Sequence, residues 1–234
     1  MAKQKPSTLK PAATKKGRTG RSRAQEPEGF DRFGILREES QNFCEGVGLH
    51  KDLVMEILKT DSDWAFMLKV DALLESAAKE ILRQGMRIKL LNRVIRNEIL
   101  DDFIDSLPMN GRTSLLKLLD AAGLPPEELG FVEITRRVRN AYAHNIQYAD
   151  LSLVELIKQR QDKSQLIKHL SAIKTYDEAD LIARYDEDPG FLRFCIIDSA
   201  MRFLFYAYHL AVKKKVTDRA SSVRRSKAMG KDAL

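Results

Sequence analysis

The stretch from Asp61 to Gly85, DSDWAFMLKVDALLESAAKEILRQG, constrains the fold more than any other part of this 234-residue chain. Phe66, Val70, Leu73, Ala77 and Ile81 recur three and four residues apart, the spacing that gathers side chains on one helix face, and Asp61, Ser62 and Asp63 ahead of them are capping residues. A long helix with one apolar face has to bury it. The remaining chain offers mostly helices to bury it against: the same spacing predicts helices over 35–45, 49–59, 87–107, 110–123, 131–148, 151–161, 163–174, 177–185 and 191–212. Gly85 reads as the stop of the long helix, Pro108 ends the next one, LPPEELG is a turn with a helix start, and DEDPG is a breaker. There is no alternating strand pattern, no glycine-rich phosphate loop and no internal repeat. The expected class is all-α, an antiparallel helical bundle.

Charge divides the chain into three parts. Residues 1–25 carry eight basic residues and no acid, and residues 212–234 carry eight against Asp218 and Asp232. With a net charge of +7, ends of +8 and +6 leave the middle at −7. We therefore expect a disordered basic arm over 1–28, one helical domain over 29–212, and a basic tail over 213–234. Tails of this kind attract polyanions (RNA, DNA, an anionic membrane surface) by counterion release; the same composition also serves a tail that only keeps a protein in solution. KPAATKKGRTGRSR resembles a split basic nuclear-import signal, a pattern easily met by chance. Leu9 is the sole large apolar residue of the arm after Met1, which gives neither a secretory core nor a transit helix.

The apolar run FLRFCIIDSAMRFLFYAYHLAV is long enough to cross a bilayer, but Arg193, Asp198 and Arg202 lie inside it. Each costs roughly 2.5–3.5 kcal/mol near a bilayer centre. Asp198, Arg202, Tyr206, His209 and Lys213 form one polar stripe, so a bundle helix is expected rather than stable membrane insertion. Cys44 and Cys195 belong to no ligand-like spacing, so no metal or disulfide framework is indicated, and a reducing cytoplasm fits.

The chemistry-bearing segment is RRVRNAYAHN, residues 136–145. Residues four apart share a helix face, whereas residues five apart diverge by about 140°. Arg136, Asn140 and His144 thus line up. Arg139 points elsewhere and cannot reach His144 of its own helix. Ile134, Val138, Ala141 and Tyr142 make the apolar side, while Arg136, Arg137 and Arg139 read as a solvated or phosphate-facing patch, and Arg136 and Arg137, with Lys213, Lys214 and Lys215 beyond the last helix, are the candidates for contacting the phosphates of a nucleic acid such as RNA. Asp71 and Glu75, four apart on the long helix, could orient the Arg139 guanidinium, or could be ordinary exposed acids.

RNAYAH resembles the R-x4-H signature of the HEPN superfamily of α-helical domains. In order, the helices WAFMLKVDALLESAAKEIL, NGRTSLLKLLDAAGL and RRVRNAYAH are most similar to its mannitol operon repressor branch, over about 61–160. The resemblance implies a HEPN-type bundle with additional C-terminal helices and a homodimer in which the motif helices of two subunits face each other. It implies a metal-independent endoribonuclease without cofactors, of the kind found among toxins and antiviral defence proteins. Arg139 then stabilises charge on phosphoryl oxygens, Asn140 is the polar residue beside it, and His144 moves a proton. A neutralising or regulatory protein partner often accompanies such enzymes. The mannitol-repressor branch also holds non-catalytic regulators that bind protein or nucleic acid, so that alternative stands. One branch carries a tyrosine two residues after the histidine; in this chain Ile146 stands there, so regulation through that tyrosine is not implied. The acids Glu98, Asp101, Asp102 and Asp105 would be poor neighbours for RNA if they bordered the cleft.

Overall fold

The computed structural model describes residues 31–90, 97–171 and 177–213. The helical fold belongs to the unit that begins at Phe33. It is all-α, with no strand among the described residues. The helices are α1 (Arg32–Gly46), α2 (Leu53–Leu58), α3 (Asp63–Leu90), α4 (Asn97–Ser106), α5 (Leu115–Ala121), α6 (Pro126–His144), α7 (Leu153–Gln159), α8 (Lys163–Leu170), α9 (Glu178–Glu187) and α10 (Pro189–Tyr208). A 3₁₀ turn, Ile146–Tyr148, follows α6, and a π turn, His209–Lys213, follows α10. The expected arm over 1–28 and the tail beyond Lys213 lie outside the described residues.

Helix α3 is the centre, packed against α6, α10, α4, α2 and the π turn. Its expected apolar face, Phe66, Val70, Leu73, Ala77 and Ile81, is buried, with Met67, Leu74 and Ala78 beside it. Three polar contacts set helix directions. Asp63 at the start of α3 meets Arg193 near the start of α10, so these two run parallel. Asp71 in the first half of α3 meets Arg139 in the last turns of α6, and Glu128 near the start of α6 meets Arg202 far along α10. Helix α6 therefore runs antiparallel to both.

Local signals place the ends. The Ser114 side chain accepts from Lys117 N to start α5, and Gly123 supplies the positive φ (97°) that turns the chain toward α6. Pro126 fits the first turn of α6, where backbone N–H groups have no intrahelical partner, and Ser152 with Glu155 forms a capping box on α7. Asp63 is the tightest joint: its carboxylate accepts from Arg193 Nε at 2.6 Å and from Leu153 N at 2.6 Å. The same guanidinium donates to the Thr60 and Asp61 carbonyls and lies over the Phe66 ring. Arg193, which argued against a membrane span, is a structural clamp. Among the described residues no helix is long and apolar enough to cross a membrane.

Several boundaries differ from expectation. Gly85 does not stop α3, which continues to Leu90; a β-carbon there would lie 2.9 Å from both Cβ and O of Ala211, so the glycine permits close approach of the π turn. The helix expected over 87–107 divides: α3 takes its first residues, 91–96 are not described, and α4 begins at Asn97. Helix α6 starts at Pro126, ahead of the expected 131, and ends at His144 rather than 148. Asn145 leaves helical geometry (φ −132°, ψ 100°), and its side chain accepts from Gln147 N to begin the 3₁₀ turn. Ala141, expected on the apolar side of α6, is only half-buried.

Gly85→Val should lower stability by about 1–3 kcal/mol, the usual cost of overpacking. Urea denaturation checks this, and an unchanged or higher midpoint would contradict the close approach.

Candidate functional site

Helix α6 is held along one side by Phe131, Val132, Ile134, Val138 and Tyr142, all buried, while the Tyr142 hydroxyl donates to Leu151 O at 3.1 Å. Burial pushes the Tyr142 phenol well above its ordinary pKa, so it stays a neutral donor. That anchoring fixes the bearing of every polar residue on the helix.

The structure brings Arg136 and Arg139 against α3, with Asn140 beside Arg139. Asp71 is 5% exposed and faces both arginines: its Oδ2 lies 3.4 Å from Arg139 Nε and its Oδ1 3.8 Å from Arg136 Nε. Neither contact has hydrogen-bond alignment, so attraction at this point is chiefly coulombic. Burial raises the Asp71 pKa, and Arg136 and Arg139 oppose the rise. Glu75 goes to Arg136 NH1 (3.5 Å) and Lys79 (3.1 Å), not to Arg139. Of the two acids, Asp71 is the one beside Arg139. Arg139 NH1 donates to Asn140 Oδ1 at 2.9 Å, and its side chain remains 34% exposed.

His144 stands apart. It is the last residue of α6, exposed, with no side-chain hydrogen bond or ion pair among the described residues. Asn140 is also exposed. One chain thus presents a tethered guanidinium and an exposed imidazole on diverging faces of one helix. The side chain of Lys213, and all of Lys214 and Lys215, lie outside the described residues.

Sequence reasoning missed a second cluster. Asp162 accepts from Arg160 Nε (2.7 Å) and NH2 (3.0 Å) and from Arg137 NH1 (3.1 Å). These bonds, Arg160 first, pull its carboxyl down to about 2. Arg160 and Asp162 are two apart between α7 and α8, but only the packing of α8 on α6 brings them to Arg137. The acids of α4 lie elsewhere: Asp101 and Asp105 pair with Arg83, and Asp101 with Arg87, at least 12 residues or about 18 Å along α3 from Asp71. Among the described residues no three His, Cys, Asp or Glu side chains are grouped to hold a metal ion.

Compared with protein-family models, curated proteins and solved structures, the chain matches none.

The two buried or bridged acids should titrate with opposite signs. Asp162, depressed in the folded chain, stabilises it above the ordinary carboxylate range, and that contribution is lost as pH falls toward 2. Asp71, raised in the folded chain, binds its proton more tightly there than when unfolded, so its contribution grows as pH falls through the window just above that range. Melting curves from about pH 7 to about pH 4 should therefore shift the gap between wild type and Asp71→Asn in favour of wild type. A gap that moves the other way would contradict the burial of Asp71. At neutral pH Asp71→Ala should cost about 1–2 kcal/mol, since it strands two guanidiniums that are partly exposed to solvent.

Proposed function

We propose that this chain is a metal-independent endoribonuclease of HEPN type, acting in the cytoplasm as a homodimer, in the manner of toxins and defence proteins. The observation that carries the reading is the combination of Arg139, steadied by the buried Asp71 and by Asn140, with an exposed His144 little more than one turn further on the same helix. The resemblance of RNAYAH to the R-x4-H signature gives these residues their roles.

In the proposed reaction the ribose 2′-oxygen attacks phosphorus. A P–O2′ bond forms, the P–O5′ bond breaks, and the 2′-hydroxyl proton is ultimately replaced by one delivered to the departing 5′-oxygen. The products are a 2′,3′-cyclic phosphate and a 5′-hydroxyl. Imidazole suits the proton transfers because its ordinary pKa lies near neutrality. The guanidinium presents planar donors to two phosphoryl oxygens and stays charged throughout. Asp71 fixes where that plane sits. Because Arg139 and His144 diverge on one helix, the site is completed by a second copy. Arg136 and Arg137 and the basic ends hold the rest of the RNA, and a neutralising protein partner would cover the exposed edge of α6.

A second reading, a non-catalytic regulator of the mannitol operon repressor kind, is favoured by one observation: within one protomer Arg139 NH1 is hydrogen-bonded to Asn140 and its Nε faces the charge of Asp71. The two readings separate in one assay. Cellular RNA incubated with the protein in chelator should be cut, with cyclic-phosphate ends, and His144→Ala should slow cutting by about 10²–10⁴-fold. Equal cutting by that variant would remove His144 from the chemistry, and no cutting by wild type would favour the regulator.

A further inference from the structure

Ahead of Arg139 and His144 along the chain, α6 borders a groove of about 350 Å³ whose other wall is the loop before α5 and α5 itself. Asn110, Ser114, Lys117, Asp120, Glu133 and Arg137 line it. Seven residues on a helix come within about 20° of two full turns, so Arg137 and His144 share a bearing, about 10 Å apart along the axis. Glu133, four residues before Arg137, continues the same edge. Arg137, the last α6 residue to line the groove, thus stands about two turns before the exposed imidazole on the same helix edge.

Its cations are held loosely. Arg137, 46% exposed, shares Asp162 with Arg160, which already grips that carboxylate through two nitrogens. Arg137 can leave without stranding a charge. Lys117 is held by Asp120 on its own helix at 3.5 Å, with both side chains largely exposed, a pair of little weight. Glu133 is exposed and makes no ion pair among the described residues. With two carboxylates in the lining the groove is not a sink for bare phosphate. It suits a ligand that carries both an anion and a hydrogen-bond donor, and a nucleotide with an exocyclic amino group is such a ligand: a carboxylate accepts from the cytosine amine, for which uracil has no counterpart.

We infer that this groove binds the nucleotide flanking the scissile one, with Arg137 and Lys117 on its phosphate and Glu133 on the amino group of its base. This rests on the reading of His144 as the cutting end of the same helix edge. The site sets a base preference beside the cut.

The test uses full-length protein carrying His144→Ala and fluorescein-labelled single-stranded oligo-C and oligo-U, with affinities measured by anisotropy over a salt series. Arg137→Ala and Lys117→Ala should each weaken binding of both probes several-fold and reduce the slope of log affinity against log salt by about one. Glu133→Gln should leave the slope unchanged and shrink the preference for oligo-C over oligo-U. Lys117 is exposed on a short surface helix, so its variant keeps the comparison valid if Arg137→Ala disturbs folding. Unchanged affinity and slope in the Lys117 and Arg137 variants, or no oligo-C preference in the parent, overturns the groove. Loss of the ribonuclease reading is seen separately, as His144-independent cutting or none, and leaves these binding results to decide the groove by themselves. Absence of RNA binding by the parent overturns both.

Discussion

A nearly buried carboxylate facing two guanidiniums is the constraint on which the rest of the site depends. Asp71 sits on the central helix with its charge removed from water, and Arg136 and Arg139 on α6 offset that cost. The buried apolar side of α6, from Phe131 to Tyr142, fixes the rotation of the helix about its own axis, and the contact with Asp71 then places Arg136 and Arg139 on its polar side. Arg137 reaches the Asp162 carboxylate just ahead of α8, and His144 is left exposed. A function built on α6 takes the position of its arginine from this pairing.

The second joint, Asp63 with Arg193 and Leu153 N, acts at the other end of the same surface. It holds the starts of α3, α7 and α10 together near the point where α6 ends and Asn145 turns the chain away. The end of the motif helix is therefore framed from two sides, by a buried acid one way and by a clamped loop the other. Rigidity there matters because a reacting group must keep its position while the substrate moves.

Much of this was legible in the sequence, and the reasons are local. The buried face of α3 follows from spacing alone, and Ser62, one of the capping residues expected ahead of it, accepts from Ala65 N. The bearings of Asn140, His144 and Arg139 follow from the helical repeat. What spacing could not supply was anything decided by a second element. Gly85 reads as a stop because glycine is a poor helix former, yet the helix passes through it since the space is needed for Ala211. His144 ends α6 because Asn145 caps the next turn, a competition between neighbours that periodicity does not record. Asp71 and Glu75 look alike in the sequence, but only Asp71 faces Arg139. The Asp162 pair of arginines and the Asp63–Arg193 bond, 130 residues apart, are products of packing.

The central claim is that a tethered Arg139 and an exposed His144, diverging on one helix, work only when two copies of the chain meet. Sedimentation equilibrium of the full chain at micromolar concentration, alongside its RNA-cleaving activity, tests this most directly. The account predicts the mass of a dimer across the concentrations at which RNA is cut. A chain that cuts RNA while remaining a monomer would contradict it.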